Sequence, residues 1–139
     1  ERSHVLSALV RRFVDAVDEG MDKVTLWGSG EPRREFLHVD DAAEAILLLM
    51  EKAQTPDPVN VGSGGDISIR DLASLVARLV GYRGEILCDR ENPDGMPVKC
   101  LDVSRLSYYG FRPRITLEQG VGKTIGEYKE RKNGTWKKA

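Results

Sequence analysis

Two arginines stand where a phosphorylated ligand could be bound. Arg12 is predicted about two turns into the first helix, and Arg34 follows the turn Gly28-Ser29-Gly30, where a second strand begins. A guanidinium group forks onto two oxygens, so two such groups suit a diphosphate better than a single carboxylate. Solvated surface arginines are the commoner case, so both interpretations stay open from these residues alone.

Other catalytic patterns in the chain have simpler explanations. A Tyr and a Lys four residues apart can form a proton-transfer pair, because the cation lowers the Tyr pKa. Tyr128 and Lys132 have this spacing, but Tyr128 falls on the apolar face of the last predicted helix, which favours a structural role. Asp40 and Asp41 are better explained as a helix cap than as paired catalytic carboxylates, and His38 is then a neighbour of that cap.

Two glycine-rich turns lack the complete pattern of a dinucleotide-binding loop. Such a loop has Gly-x-Gly-x-x-Gly between a strand and a helix, so that backbone N–H groups reach the pyrophosphate. Ile67 replaces the third glycine in the turn that begins at Gly62, and Arg33 replaces it in the turn that begins at Gly28. We therefore predict two turns and no dinucleotide site.

The composition argues against several classes of function. A net charge of −1 gives no overall attraction to nucleic acid or to a membrane surface. The longest apolar run, residues 45–50, is too short to cross a bilayer. His4, His38, Cys88 and Cys100 show no zinc-ligand spacing, so no metal site is predicted. So few cysteines suit a reducing compartment, and we expect a cytoplasmic protein.

The elements that would position these residues alternate between helices and strands. Apolar residues at three-and-four spacing predict helices at residues 5–19, 40–53, 69–80, 103–109 and 117–130. Short apolar runs predict strands at residues 24–27, 35–39, 59–61 and 85–88. The second helix is apolar enough to be buried on most sides, and Asp102 is predicted to cap the fourth.

Two helices carry stronger end signals. Ser68 with Asp71 resembles a capping box, and Gly81 follows the same helix in the position of a C-terminal cap. Thr116 with Gln119 predicts a second capping box. The chain is therefore predicted to be mixed α/β.

The chain is predicted to form a single region over residues 1–130. A basic, mobile tail is expected at residues 131–139. The sequence begins without Met and almost directly in a helical pattern, so we expect a piece of a longer protein.

Several motifs together resemble one family. Ser3-His4-Val5, Trp27-Gly28-Ser29-Gly30 and Pro93-Asp94-Gly95 are similar to motifs of the GDP-L-fucose synthases. Val39-Asp40-Asp41 and Asn60-Val61-Gly62 are similar to those of many sugar-nucleotide epimerases and dehydratases. The chain is thus identified as resembling the GDP-L-fucose synthase branch of the NAD-dependent epimerase/dehydratase family.

This resemblance covers residues 3–130 and implies a fold and an activity. The fold would be the C-terminal, substrate-binding portion of an extended short-chain dehydrogenase/reductase, α/β with a small mixed sheet and several helices, without the N-terminal Rossmann domain. Members of the branch convert GDP-4-keto-6-deoxy-mannose to GDP-L-fucose, by epimerising C3 and C5 and then reducing C4 with NADPH. The chain would carry the part that binds the GDP-sugar.

The resemblance also implies roles for individual residues. His4 resembles a histidine near the nicotinamide and the hexose, a candidate proton donor in epimerisation or a cofactor contact. Arg12 and Arg34 resemble arginines that bind the substrate, at its diphosphate. The remaining implied substrate contacts are Trp27, Asp94 and, as a further phosphate contact, Lys99.

The family's cofactor loop, catalytic Ser and Cys, and Tyr-x-x-x-Lys pair would all precede the residues of this chain. We therefore expect it to be inactive alone and to bind no NADP by itself, although NADP serves the full-length family. We also expect it to need the missing Rossmann half or to self-associate. Two alternatives stay open: a stand-alone nucleotide-sugar-binding or interaction module from a truncated gene, and part of another nucleotide-sugar epimerase or dehydratase.

Overall fold

The computed structural model describes residues 4–54 and 56–135 and confirms the predicted mixed α/β class. Ser3 of the Ser3-His4-Val5 motif and residues 136–139 of the predicted tail lie outside the described residues. Five helices and five strands lie within them. In chain order these are α1 (Val5–Asp18), β1 (Lys23–Trp27), β2 (Arg33–Glu35), α2 (Val39–Lys52), β3 (Asp66–Ser68), α3 (Ile69–Val80), β4 (Glu85–Asp89), β5 (Val98–Lys99), α4 (Ser104–Tyr108) and α5 (Leu117–Lys132).

The larger of two apolar clusters joins α1, α3 and α5 to the first sheet. α1 contributes Leu9 and Phe13, and α3 contributes Leu72 and Val76; each pair is four residues apart, the spacing that places side chains on one face of a helix. Leu26 of β1 packs into the same cluster. The cluster therefore fixes α1 against the strand that ends at Trp27.

β1 and β2 lie in two separate small sheets. β1 pairs in parallel with β4, with Trp27 opposite Asp89. β2 is the central strand of the second sheet, antiparallel to β3 and parallel to β5. Gly28 and Gly30 have φ angles of 77° and 79°, which side chains with a Cβ rarely adopt, and they form the turn from β1 to β2.

The capping box of α5 and the two end residues of α3 are confirmed, but α3 lacks a capping box, because Asp71 Oδ2 accepts from the Ser68 hydroxyl at 2.6 Å and not from the Ser68 N–H. Ser68 Oγ accepts a hydrogen bond from the Asp71 N–H at 3.0 Å, and Gly81 ends α3 with a φ of 82°. Thr116 Oγ1 accepts from the Gln119 N–H at 3.2 Å, while Gln119 Oε1 accepts from the Thr116 N–H at 2.9 Å. Each bond satisfies an N–H group that the first turn of a helix leaves without an intrahelical partner.

The start of α2 differs from the prediction. His38, rather than Asp40 or Asp41, is the N-cap residue, and its Nδ1 accepts a hydrogen bond from the Asp40 N–H at 3.2 Å. Asp41 is only 2% exposed and accepts hydrogen bonds from the backbone of Arg114 and Ile115. Adjacent helical residues point about 100° apart, so one carboxylate faces the protein interior while the other faces solvent.

α2 is also less buried than predicted. Its buried residues are Asp41 and Ala45, while four of its large apolar side chains are at least half exposed. This set, called the α2 stripe below, consists of Val39, Ile46, Leu47 and Met50. An apolar helix face is buried only where another element covers it, and no element of the described residues covers the α2 stripe.

Two strand predictions are wrong. Residues 59–61 lie outside every strand that the structure describes, because no described strand lies beside them to form a ladder. β2 ends at Glu35, so the predicted extended segment 35–39 is irregular up to the start of α2. Pairing with β3 and β5 determines the length of β2.

Two helix ends also shift. Val103 is the N-cap residue of α4, and Asp102 instead accepts a hydrogen bond through Oδ1 from the Ser104 N–H at 2.9 Å. α5 continues to Lys132, two residues into the segment predicted as a tail. Its last turn carries Lys129, Arg131 and Lys132, and cations stabilise the C-terminal end of a helix.

Candidate functional site

A pocket of about 240 Å³ opens between α1, the end of β1, β2 and residues 92–97. The segment 92–97, called the strap below, lies between β4 and β5. The pocket is lined by four of the six residues predicted to form the site, although they come from distant parts of the chain. These four are Arg12, Trp27, Arg34 and Asp94.

Neither guanidinium group at the pocket forms an ion pair with a carboxylate in the described part of the chain. Arg12 Nη1 donates to the Thr25 carbonyl, and Arg34 Nη1 donates to two backbone carbonyls at 2.7 and 2.8 Å. The adjacent Arg33, by contrast, pairs with Asp66 at 2.6 Å. Arg12 and Arg34 thus keep N–H donors and positive charge available for an anionic ligand.

Trp27 presents a large aromatic surface beside these arginines. It is the last residue of β1, and 68% of its surface is exposed. Its Nε1 donates a hydrogen bond to the Pro93 carbonyl of the strap at 3.3 Å, which orients the ring. An oriented and exposed ring is suited to stacking on a flat or apolar part of a ligand.

Asp94 is held on the strap by Ser29. The Ser29 N–H donates to Asp94 Oδ1 at 2.9 Å, and the Ser29 hydroxyl donates to Oδ2 at 2.6 Å. These two bonds, with a smaller contribution from the positive charge of Arg90, lower the pKa of Asp94 because they favour the ionised form. The carboxylate at the pocket is therefore charged at neutral pH.

The pocket does not include the other two predicted residues. His4 is the exposed N-cap of α1, and its side chain makes no capping hydrogen bond, while the next residue, Val5, lines the pocket. Lys99 is exposed on β5, in register with Arg34, but does not line the pocket. The structure thus brings four predicted residues together and leaves these two outside the pocket lining.

The glycine-rich turns are filled by side chains of the chain itself. A Cβ added at Gly28 would collide with Asp94 Oδ1, and a Cβ added at Gly62 would meet Glu35 Oε1. A dinucleotide loop needs that space for the pyrophosphate and leads into a helix, whereas strands β2 and β3 follow these turns. These two turns therefore do not have the form of a dinucleotide-binding loop.

Tyr128 and Lys132 join α5 to α1. The Tyr128 hydroxyl donates to Asp15 at 3.5 Å, and Lys132 Nζ lies 2.6 Å from Asp15 and 2.8 Å from Asp18. Burial and the negative charge of Asp15 raise the pKa of Tyr128, which is the opposite of what proton transfer near neutral pH requires. These contacts support a structural role for Tyr128 and Lys132, in which they hold α5 against α1.

Two positioning contacts at the site had no clear signal in the sequence. The sequence shows Ser29 only as the middle residue of the turn Gly28-Ser29-Gly30 and does not reveal its contact with Asp94. Glu35 accepts hydrogen bonds from the Gly64 N–H at 2.6 Å and the Leu101 N–H at 2.9 Å, and so joins two loops to β2. Both contacts connect residues far apart in the chain, so no local spacing pattern could indicate them.

Residues 4–54 and 56–135 contain neither a membrane-spanning helix nor a cluster of metal ligands. No helix there is long and apolar enough to cross a membrane. The same residues contain no group of three or more His, Cys, Asp or Glu side chains that could hold a metal ion. The pocket beside the strap is therefore the feature on which a functional interpretation rests.

Comparison with known proteins identifies relatives of the chain. The sequence model of the NAD dependent epimerase/dehydratase family matches residues 1–62. GDP-L-fucose synthase from Escherichia coli (strain K12) is 46% identical over 131 residues, which cover 88% of this chain and 41% of that protein. GDP-L-fucose synthase 1 from Arabidopsis thaliana is 44% identical over 128 residues, with coverages of 92% and 40%. The chain spans about two fifths of the length of these curated relatives.

Solved structures share the fold. GDP-mannoheptose C4 reductase from Campylobacter jejuni, with NADP bound, is 30% identical with a TM-score of 0.79, covering 93% of this chain and 46% of that one. A GDP-L-fucose synthetase from Naegleria fowleri, bound to NADP, is 23% identical with a TM-score of 0.85 and coverages of 96% and 43%. The chain is therefore similar to the NAD dependent epimerase/dehydratase family over residues 1–62, and to GDP-L-fucose synthases over about nine tenths of its own length.

Proposed function

We propose that the chain is the GDP-sugar-binding part of a GDP-L-fucose synthase-like enzyme. The observation that carries this proposal is the pocket in which Arg12 and Arg34, neither paired with a carboxylate of the described residues, face the same cavity. Two guanidinium groups can bind the diphosphate bidentately. Trp27 is available to stack on the ligand, and Asp94 can accept hydrogen bonds from its hydroxyl or N–H groups.

The reaction of the whole enzyme would be the epimerisation of GDP-4-keto-6-deoxy-mannose at C3 and C5 and its reduction at C4. NADPH supplies the hydride in such a reaction, and we propose that residues outside this chain hold it, because the glycine turns here are filled by Asp94 and Glu35. His4, at the start of α1 next to the pocket residue Val5, is the proposed proton donor. By itself the chain would bind a GDP-sugar without turning it over.

The α2 stripe supports a partner for this part of the enzyme. Val39, Ile46, Leu47 and Met50 expose an apolar face on one helix, and apolar faces of this kind mark contacts with other protein surfaces. We propose that the cofactor-binding half covers this face in the complete enzyme. Without that half, the stripe would drive self-association of the chain.

A calorimetric titration tests the proposed site. The 139-residue chain is titrated with GDP, and with UDP as the control nucleotide. We expect GDP to bind more tightly than UDP, and Arg34→Ala to weaken GDP binding roughly tenfold or more, because charge-assisted hydrogen bonds to phosphate are lost. Arg33→Ala is the matched control, since this neighbouring arginine pairs with Asp66 and does not line the pocket.

The controls separate the possible results. Circular dichroism would verify that both variants remain folded. Equal loss of affinity in Arg33→Ala and Arg34→Ala would contradict a specific role for Arg34. Failure of the unaltered chain to bind either nucleotide would contradict a pre-formed site and would make the pocket dependent on residues outside this chain.

A further inference from the structure

Every polar backbone and side-chain atom of Ser29 is engaged. Its N–H and hydroxyl donate to the two carboxylate oxygens of Asp94, at 2.9 and 2.6 Å. Its Oγ accepts from the Glu31 N–H at 3.0 Å, and its carbonyl accepts from Arg70 Nη2 at 3.1 Å. A residue that only completed the turn would need none of the contacts with Asp94.

The bond from Glu31 determines where the Ser29 hydroxyl points. Because a lone pair of Oγ faces the Glu31 N–H, the hydroxyl hydrogen is directed to Asp94. Two parallel donors on one residue then meet two oxygens on the other. A bidentate contact of this kind fixes orientation as well as distance.

In sequence, Asp94 lies between two further residues by which the strap is attached, Pro93 and Met96. Trp27 Nε1 donates to the Pro93 carbonyl at 3.3 Å, and Arg34 Nη1 donates to the Met96 carbonyl at 2.8 Å. The two pocket side chains are therefore oriented by carbonyls on either side of Asp94. Moving the strap would disturb both side chains at once.

We propose that Ser29 is a positioning residue of the nucleotide-sugar pocket: by fastening Asp94, it holds the strap where Trp27 and Arg34 take their binding orientations. This inference rests on the proposed function, because it assigns to Ser29 the geometry of that same site. Ser29 itself need not contact the ligand. Its contribution is to keep the pocket formed before the ligand arrives, which reduces the ordering cost of binding.

The test combines a ligand-free and a ligand-dependent measurement on the 139-residue chain. Hydrogen exchange of the Trp27 indole N–H is followed by NMR in a Trp136→Phe background, which leaves a single indole signal. GDP affinity is measured by calorimetry. The variants are Ser29→Ala and Ser29→Thr, of which the second keeps the hydroxyl. Ser74→Ala is the control, because it removes a hydroxyl that donates to the Arg70 carbonyl on α3, away from Asp94.

We expect Ser29→Ala to speed indole exchange and to weaken GDP binding, each roughly tenfold, as for loss of a charge-assisted hydrogen bond. Ser29→Thr should restore both values to within about twofold, and Ser74→Ala should change neither. A double-mutant cycle with Asp94→Ala should show that the effects of the two residues are not additive.

Two results would overturn the proposal. One is indole exchange in Ser29→Ala equal to that of the unaltered chain. The other is faster exchange with unchanged GDP affinity, since the strap would then be irrelevant to binding. If the unaltered chain binds no GDP, the pre-formed site of the proposed function is contradicted, while the indole exchange still decides whether Ser29 fastens the strap.

Discussion

The carboxylate of Asp41 accepts a hydrogen bond from the backbone N–H of Ile115 at 3.0 Å, across 74 positions of the chain. The N–H of the preceding residue, Arg114, lies 3.2 Å from each of its oxygens. This buried contact joins the first turn of α2 to the loop before α5. It gives the second carboxylate of the Val-Asp-Asp motif a structural function distinct from helix capping.

Asp41→Ala should lower the free energy of unfolding by about 2–4 kcal/mol, because two backbone N–H groups lose their buried, charged acceptor. Urea unfolding followed by circular dichroism measures this. The matched control is Asp40→Ala, in the same helix turn but exposed, which should cost less than about 1 kcal/mol. Similar costs for the two variants would mean that both residues act only through the helix end.

Gly28→Ala should impair the site more than a backbone penalty alone explains. Gly28 and Gly20 both have positive φ, 77° and 64°, so alanine is strained at both positions. The Cβ added at Gly28 would collide with Asp94 Oδ1, whereas no atom of the described residues lies within 4 Å of a Cβ added at Gly20. We expect Gly28→Ala to lower stability by at least about 1 kcal/mol more than Gly20→Ala. GDP titration of both variants should show loss of affinity only at Gly28.

Replacing apolar residues of the α2 stripe should reduce self-association. Ile46 and Leu47 are exposed on neighbouring positions of α2, and a double change to Glu would place charges on that face. Size-exclusion chromatography with light scattering should show a smaller mass for this variant than for the unaltered chain. Tyr108→Glu is the control, because Tyr108 is an exposed aromatic residue on α4, outside the stripe. If the unaltered chain is already monomeric in dilute solution, self-association through the α2 stripe is contradicted.

The contact between Ser29 and Asp94 should make the free energy of unfolding fall as the pH is lowered into the acid range. Hydrogen bonds from Ser29 lower the pKa of Asp94 in the folded chain, so the folded state binds this proton less readily than the unfolded state. The stabilisation is therefore present above the ordinary Asp pKa of about 3.9 and is lost as pH falls through the lower folded value. The difference in urea midpoint between the unaltered chain and Asp94→Asn should shrink from pH 5.5 to pH 3.

Direct titration gives an independent check of that prediction. The Asp94 carboxyl carbon, followed by NMR, should titrate below the ordinary Asp pKa in the unaltered chain. In Ser29→Ala, where the hydroxyl donor is removed, the midpoint should move upward. An unchanged midpoint would assign the lowered pKa to the Ser29 backbone N–H and the positive charge of Arg90, both of which this variant keeps.

Tyr128→Phe should leave nucleotide binding unchanged. The hydroxyl contacts Asp15 between α5 and α1, and Tyr128 does not line the pocket. Its loss should change the free energy of unfolding by less than about 1.5 kcal/mol, the range for a single neutral hydrogen bond. Calorimetric titration with GDP and urea unfolding check the two expectations. A large loss of GDP affinity with normal stability would reopen a role for the Tyr128 and Lys132 pair.

The sequence was a good guide to structure that depends on local interactions. The spacing of Phe13 and Val14 with their helical neighbours, and the caps at Ser68 and Thr116, involve residues within one or two turns, so they could be recognised without a tertiary structure. Residues 59–61 were misassigned because a strand exists only with a partner strand. The burial of α2 was overestimated because apolarity does not tell which element covers a helix face.

The candidate site was less predictable from the sequence than the helices and their caps. No spacing rule places Arg12, Trp27, Arg34 and Asp94 together, so selecting them as one set depended on the family resemblance. The structure places all four around one pocket. The same resemblance included Lys99, which does not line the pocket. Ser29 was not singled out, because its partner is 65 positions away and the motif around it has a sufficient explanation as a turn.

The distance in sequence between the walls of the pocket has a consequence for synthesis of the protein. Arg12 and Trp27 emerge from the ribosome well before Asp94, so a nascent chain ending before the strap lacks one side of the pocket. A nucleotide that needs both sides can recognise only a chain that has been translated past this point and has folded. Bound ligand would then shift the folding equilibrium of the finished chain and not that of its shorter precursors.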